Sequence, residues 1–220
     1  MDITQRYGKS LTNEPAIISL TSWVKRIHTC GLTIFNLYKT CPGYHIVLTL
    51  AEEEFPQLLT QLPRDLLIML DKGIYELIFV KKNWKAFKKC IFSMSLYNTI
   101  PIITADDDMI YTTNYALELV NSYKTHRTNV ITYRKSTYVN HISGPCTLFP
   151  PELSHIFLSE FKNNPPIELT LDDGWFDTVI NKNDIKVIPL HDYFPCKVHD
   201  EIAPLSGGID YHPEWRLSRI

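Results

Sequence analysis

A strand that ends in three acids constrains the fold of this 220-residue chain more than any other stretch. Residues 100–105 are mostly apolar and rich in β-branched side chains, which predicts a buried strand. Asp106, Asp107 and Asp108 follow it directly. Because ligands of parallel sheets bind just beyond the carboxyl ends of the strands, these acids are the first candidates for a functional site.

The chemistry of the three acids favours a bound cation. If the strand continues through them, Asp106 and Asp108 share one face of the sheet while Asp107 points to the other. Neighbouring carboxylates repel one another, and oxygen ligands suit Mg²⁺ or Mn²⁺. The pattern therefore predicts a metal site on Asp106 and Asp108. The alternative is a solvated acidic turn, which Asp-rich loops commonly form.

Composition excludes several classes of protein. The net charge of -2 and the pI near 6.4 give no basic footprint for a nucleic-acid partner. The 5 cysteines are scattered and odd in number, which argues against a disulfide framework or a zinc ribbon and favours a reducing cytoplasm. The N-terminus lacks a signal-peptide pattern, and no apolar run reaches the roughly 20 residues of a membrane span. We expect a cytoplasmic protein, with peripheral association at the inner face of the membrane as an option.

Strands and helices alternate through the first half of the chain, which predicts a single α/β domain with a mostly parallel, twisted, Rossmann-like sheet flanked by helices. Strands are predicted at 16–20, 44–50, 74–80, 100–105 and 129–133. Helical segments are predicted at 27–38, 51–55, 84–97, 114–124, 152–158 and 171–181. The second half is more irregular, with a tight loop at 143–151 and a loop-rich tail after Pro189.

Two of these helices carry explicit predictions about which side chains face inward. In the helix at 84–97 the apolar side excludes Lys85, Lys88 and Lys89. In the helix at 114–124 the inward residues are Leu117 and Val120, with Tyr123 as a further candidate.

Four blocks of sequence, taken in order, resemble bacterial polysaccharide and lipopolysaccharide glycosyltransferases with the GT-A fold. The blocks are residues 18–27, 105–111, 144–151 and 172–176. The resemblance implies a nucleotide-sugar donor, a divalent cation (Mn²⁺ or Mg²⁺) on the D-x-D motif, and sugar transfer to a hydroxyl of a glycan or lipid-linked glycan acceptor. It also implies a nucleotide-sugar-binding half over 1–112, and an acceptor-binding half with the C-terminal tail over 113–220.

The resemblance assigns roles around the D-x-D motif. Asp106 and Asp108 would hold the metal, and Asp106 would also contact the donor. Asp107 would bind the metal or the donor, or only orient its neighbours. Thr21, Trp23 and Arg26, which all belong to the first block, would line the nucleotide pocket. The alternative role of Trp23 is core packing.

The fourth block supplies the candidate catalytic base. An acceptor hydroxyl must lose its proton as it attacks the sugar, which requires a positioned base. In inverting enzymes of this fold an acidic pair near a helix start commonly supplies it, and Asp172-Asp173 resembles that pair, with Asp173 as the base. The alternative is that these acids cap the helix.

Three further residues are weaker candidates for ligand contacts. His199 resembles the C-terminal histidine that supplies a third metal ligand in some GT-A enzymes, and the alternative is an exposed surface histidine. Lys85 and Lys89 could meet donor phosphates, but a lysine-rich helix face is usually only solvated.

Two other functions remain open at this stage. A nucleotidyltransferase, or another metal-dependent phosphoryl-transfer enzyme, would also place acids at a strand end. The chain has 8 glycines and no Gly-x-x-x-x-Gly-Lys loop, which disfavours that reading. A non-catalytic sugar-nucleotide-binding relative is the remaining alternative.

Overall fold

The computed structural model describes residues 2–8, 14–134, 141–142, 144–167, 172–193 and 195–199. Within these residues the strands are β1 (Ile3–Tyr7), β2 (Ile17–Thr21), β3 (His45–Ala51), β4 (Glu76–Val80), β5 (Ile102–Thr104), β6 (Met109–Tyr111), β7 (Val130–Arg134), β8 (Thr147–Phe149), β9 (Val187–His191) and β10 (Cys196–Val198). The α-helices are α1 (Ile27–Thr40), α2 (Arg64–Asp71), α3 (Ser93–Leu96), α4 (Tyr115–Thr125), α5 (Ser154–Asn163) and α6 (Asp172–Lys182).

One large sheet organises the fold, with its described strands in the order β1-β4-β3-β2-β5-β8-β7-β9. Strands β4, β3, β2 and β5 run parallel to one another, and β9 runs parallel to β7. β1 is antiparallel to β4, and β8 is antiparallel to both of its neighbours. The predicted α/β fold with a mainly parallel sheet is confirmed. A second, two-stranded sheet pairs β10 with β6.

Helices cover both faces of the large sheet. On β2, Ile17 packs into one hydrophobic core and Ile18 into the other, because successive side chains of a strand point to opposite faces. Helices α1, α2 and α4 cover the Ile18 face, while residues 85–96, α5 and α6 cover the Ile17 face. Burial on both faces explains why β2, β3 and β4 are almost continuously apolar.

Most predicted elements are confirmed to within a few residues, but three local predictions are wrong. Ala51 ends β3 and residues 52–54 form a turn, and the α-helix in this region is α2, which begins after Pro63 because proline is tolerated at a helix start. Leu117 of α4 is exposed, whereas Val120 and Tyr123 are buried as predicted. The loop at 143–151 contains β8, and α5 begins only at Ser154, after the 3₁₀ turn Pro151–Leu153.

The single helix predicted at 84–97 is also wrong. This segment consists of a 3₁₀ turn (Lys85–Phe87), a π-helical turn (Lys88–Phe92) and α3. The π turn changes the angular spacing of the side chains, and Lys88 and Lys89 are buried rather than solvated. The described part of the tail after Pro189 contains the end of β9 and all of β10, whereas residues 200–220 lie outside the described residues. Ser143 and Leu171 lie outside the described residues.

Candidate active site

The sheet topology brings the first two sequence blocks together. Ser19 of β2 is paired in register with Thr104 of β5, so both strands end at the same edge. Residues 21–26 continue from β2 and residues 105–108 continue from β5, and the two segments meet beyond this edge. Carboxyl ends of adjacent parallel strands are where α/β folds bind ligands.

A buried arginine pairs with two of the three acids. Nη1 of Arg26 donates to Oδ1 of Asp107 at 2.7 Å and lies 3.1 Å from Oδ2 of Asp108. The hydroxyl of Ser22 also donates to Asp107. All three charged side chains are almost fully buried. The predicted alternation of the acids is wrong, because the strand stops at Thr104 and both Asp107 and Asp108 reach Arg26.

The third acid faces a different cation. Nζ of Lys89 donates to Oδ1 of Asp106 at 2.8 Å and lies 3.3 Å from Oδ2 of Asp172. Lys89 is buried, and it comes from the π-helical turn on the opposite side of the sheet edge from Arg26. Lys89 therefore joins the acids after β5 to the acidic pair that begins α6.

The third sequence block (144–151) forms a hydrogen bond with the fourth (172–176). The backbone N–H of Gly144 donates to Oδ2 of Asp173 at 3.0 Å. Gly144 has φ of +55°, a left-handed conformation that glycine adopts without steric cost. The N–H of Cys146 in turn donates to the carbonyl of Thr104 at the end of β5. All four blocks that carry the resemblance thus converge at one edge of the sheet.

Burial raises the pKa of three of these carboxyls, those of Asp107, Asp108 and Asp173, and the shift is large for the last two. Burial raises the pKa of Asp108 to about 7, and the nearby charge of Asp106 adds to the rise while Arg26 opposes it. Burial, together with the charge of Asp172, raises the pKa of Asp173 to about 8, against the opposing effect of Lys89. Raised carboxyl pKa values of this kind are typical of functional sites, because an acid or base works best near the ambient pH.

The pKa values of the two buried cations, Arg26 and Lys89, are also raised, but by the neighbouring acids and against the effect of burial. Burial by itself lowers the pKa of Lys89, but Asp106, Asp172 and Asp173 outweigh it and hold that pKa well above its usual value. Lys89 is therefore a permanent positive charge at this edge of the sheet.

His199 reaches the site through the C-terminal strand. β10 pairs with β6, which follows the acids, and the N–H of His199 donates to the carbonyl of Asp108 at 2.8 Å. Nε2 of His199 lies 2.8 Å from the hydroxyl of Thr33, which is also 2.9 Å from the carbonyl oxygens of Asp107 and Met109. Thr33 therefore anchors both the acid loop and the C-terminal segment.

The remaining predicted donor residues lie at the same edge in varied surroundings. The hydroxyl of Thr21 donates to the carbonyl of Thr49 at 2.6 Å, within the sheet. Trp23 is half-buried and, within the described residues, belongs to neither hydrophobic core, while its buried Nε1 has no hydrogen-bond partner there. Lys85 is half-buried, with a left-handed φ of +48° and its N–H donating to the side chain of Asn83.

Asp106 and Asp108 are the residues predicted to hold a divalent ion. In the described part of the chain, no group of three or more His, Cys, Asp or Glu residues forms a complete metal site. Asp106 and Asp108 nevertheless offer two carboxylates, and Mg²⁺ in nucleotide sites is usually bound by one or two carboxylates plus substrate phosphates. Each of the two carboxylates already has a cation beside it, Lys89 at Asp106 and Arg26 at Asp108, so the metal site stays a prediction.

The burial of Lys88 beside the site was not predicted from the sequence. Nζ of Lys88 donates to Oδ1 of Asn83 at 2.7 Å and to Oε2 of Glu54 at 3.2 Å. It is fully buried where β3 and β4 end, and burial lowers its pKa, although Glu54 opposes the change. The acidic run at 52–54 was a signal that a cation would be needed nearby, but its partner depends on the π turn, which periodicity does not reveal.

Comparisons with other proteins show the fold. No family model matches the sequence, and no curated protein sequence matches it either. Solved structures that match include 4-diphosphocytidyl-2C-methyl-D-erythritol synthase from Anaerococcus prevotii, with a TM-score of 0.56 and 12% identity over 86% of this chain and 92% of that one.

A second similar structure is S. aureus TarS 1–349 in complex with UDP-GlcNAc. It matches with a TM-score of 0.62 and 11% identity over 92% of this chain and 63% of that one. Another structure of TarS 1–349 matches with a TM-score of 0.56 and 11% identity, over 84% of this chain and 60% of that one. The chain thus spans less than two thirds of TarS 1–349. At identities this low the comparisons show the fold alone, which is a GT-A-like, Rossmann-like α/β fold.

Proposed function

We propose that this protein is a metal-dependent glycosyltransferase that moves a sugar from a nucleotide-sugar donor to a hydroxyl of a glycan. One observation carries the proposal: Lys89 joins the acids after β5 to the acidic pair of α6 at the carboxyl edge of the sheet. Donor-side acids and a candidate base therefore lie within one charge network. The similarity to a protein that binds UDP-GlcNAc supports a nucleotide-sugar donor.

On the donor side, Asp106 and Asp108 would hold a Mn²⁺ or Mg²⁺ ion, and His199 is the candidate third ligand. When bound, such an ion supplies positive charge that neutralises a departing diphosphate. Arg26 fixes the loop that carries these acids. Trp23, whose indole N–H is buried without a described partner, would pack against the nucleotide.

On the acceptor side, Asp173 would be the general base. Its pKa of about 8 places its conjugate base close to the strength that proton transfer at neutral pH requires. The N–H of Gly144 holds one carboxylate oxygen, Oδ2, in a fixed direction. Asp172 keeps Lys89 in place beside it, and Lys89 contributes a fixed positive charge between base and donor.

The acceptor in this proposal is a glycan or lipid-linked glycan of bacterial polysaccharide or lipopolysaccharide synthesis, which the sequence resemblance implies. That work would place the enzyme in the cytoplasm, peripheral to the membrane. Among the described residues, no helix is both long and apolar enough to cross a bilayer.

The proposal is tested by incubating the protein with uridine, guanosine and cytidine sugar nucleotides in the presence of Mn²⁺. We expect one donor to raise the melting temperature, because a ligand of the native state stabilises it. The same donor should be slowly cleaved to free sugar and nucleoside phosphate. No stabilisation and no cleavage with any donor of the panel would reject the proposal.

A nucleotidyltransferase is the second candidate function. The observation in its favour is that the chain covers 92% of a similar synthase whose named product carries a diphosphocytidyl group. That reaction would consume a nucleoside triphosphate and a sugar or alcohol phosphate and release pyrophosphate. Pyrophosphate release from a triphosphate would support this candidate, while sugar-nucleotide binding without any turnover would indicate a non-catalytic relative.

A further inference from the structure

A second concave surface lies between the end of β4 and α5. It encloses about 700 Å³, within the range of roughly 300–1,000 Å³ in which small-molecule sites fall. Its described lining contains none of the acids of the candidate active site. The apolar part of the lining consists of Trp84, Phe92, Leu158, Phe161 and Pro165. We call this surface the β4–α5 groove.

The apolar wall of the β4–α5 groove is built before any ligand arrives. The rings of Trp84 and Phe161 meet edge to face, with centroids 4.9 Å apart, and Phe161 packs in turn on Phe87 and Trp175. Phe92 is buried in the core beneath. Aromatic contacts of this kind hold the wall in one arrangement, so a ligand need not order it.

Positive charge surrounds the apolar wall. Lys81, Lys82 and Lys162 line the groove with exposed side chains, and Asp2 is the carboxylate of the described lining. Nζ of Lys82 lies 4.2 Å from the ring centroid of Trp84, directly at the aromatic wall. Within the described residues, none of the three ammonium groups forms an ion pair. The lining thus carries three positive charges against one negative charge.

We propose that the β4–α5 groove binds a single-chain lipid phosphate, with its hydrocarbon chain on the aromatic wall and its phosphate among the three lysines. The match is one of chemistry: an apolar wall takes the chain, and lysine is a ready partner for phosphate. A nucleotide base suits the groove less, because the lining offers few groups that could read its hydrogen-bonding edge. The inference rests on the groove alone, so it stands whether or not the chain transfers sugars.

The test is calorimetric titration of the full chain with dodecyl phosphate, below the concentration at which it forms micelles. Dodecyl maltoside is the uncharged control with the same chain, and inorganic phosphate is the control without a chain. We expect saturable one-to-one binding of dodecyl phosphate and much weaker binding of both controls. The double variant Lys82→Gln/Lys162→Gln should weaken dodecyl phosphate binding roughly tenfold, since each lysine near an anionic head group contributes favourably.

Lys72→Gln/Lys186→Gln is the matched variant, because it removes two exposed lysines that do not line the groove. It should bind dodecyl phosphate like the wild type. Equal binding of dodecyl maltoside, or equal weakening by the two double variants, would overturn the proposal, and so would inorganic phosphate binding as tightly as the lipid. A melting curve of each variant shows that both remain folded.

Discussion

The ammonium group of Lys89 lies 2.8 Å from a carboxylate oxygen of Asp106, inside the sheet edge where two distant acidic segments meet. The same nitrogen lies 3.3 Å from Asp172. Acids that would otherwise repel one another therefore share one internal cation. This contact converts two separate sequence motifs into one site, and it makes Lys89 the residue on which the geometry of the site most depends.

Replacing Lys89 with methionine should destabilise the protein by about 3 kcal/mol, because it leaves buried carboxylates without their partner. Adding Asp172→Asn to Lys89→Met should recover part of that loss, since one uncompensated charge disappears. The measurement is urea unfolding of the two single variants and the double variant, which together give a coupling free energy. Strict additivity of the single effects would show that the two side chains do not interact.

Much of this fold follows from local sequence. The strands at the centre of the sheet are short apolar runs bounded by turn residues, and burial on both faces explains their continuous hydrophobicity. The three acids directly follow a predicted strand, and this was enough to place them at the carboxyl edge of the sheet. The hydrophobic periodicity does not predict the π turn at Lys88–Phe92. Two lysines in a helical pattern indicate a solvated face as long as their carboxylate partners are unknown.

The site depends on contacts between residues far apart in the chain, which a local pattern does not encode. Arg26 was predicted to contact the donor. In the structure its guanidinium pairs with Asp107, which is 81 residues away in sequence and which no local pattern connects to it. His199 came from a tail with no recognisable pattern, and it reaches Asp108 only because β10 pairs with β6. Leu117 was predicted to face inward by spacing alone and is exposed.

Asp173→Asn should lower sugar transfer by roughly two to four orders of magnitude, the usual contribution of general base catalysis, while donor binding stays near that of the wild type. Because the pKa of Asp173 is about 8, wild-type transfer should rise with pH and level off above about 8. The measurement is a pH profile of initial rates under saturating donor. Wild-type rates from Asp173→Asn would reassign the residue to a structural role.

The same residue should leave a mark on stability. A carboxyl whose pKa is higher in the folded than in the unfolded chain binds its proton more tightly when folded, so its stabilising contribution is complete below about pH 4 and is lost as pH rises through about 8. Wild-type unfolding free energy should therefore fall more between pH 5 and 8 than that of Asp173→Asn. Urea unfolding in chelator at both pH values measures this, and parallel pH dependence would contradict it.

Variants of His199 and of its hydrogen-bond partner Thr33 distinguish a metal-binding role of His199 from a structural one. If it is only an anchor for the C-terminal segment, then Thr33→Val should weaken Mn²⁺ binding at least as much as His199→Ala, because both remove the 2.8 Å contact between these side chains and Thr33→Val also removes the hydrogen bonding to the acid loop. If it is a metal ligand, His199→Ala should weaken Mn²⁺ binding well beyond Thr33→Val. We expect the second result, and calorimetric titration with Mn²⁺ in the presence of a nucleoside diphosphate distinguishes the two.

Asp107 and Asp108 are adjacent, yet their replacement should have opposite effects on stability. Asp107→Asn weakens the 2.7 Å pair with buried Arg26 and should cost about 3 kcal/mol in chelator. Asp108→Asn should be at least as stable as the wild type at pH 8, because a carboxyl with a pKa near 7 is charged at that pH although burial and repulsion by Asp106 disfavour its charge.

Excess Mn²⁺ should then stabilise the wild type above Asp108→Asn, since an ion stabilises only the protein that binds it. Melting curves in chelator and in Mn²⁺ decide the matter: an Asp108→Asn protein that melts well below the wild type in chelator and gains as much from Mn²⁺ would make this carboxylate structural and remove the metal site.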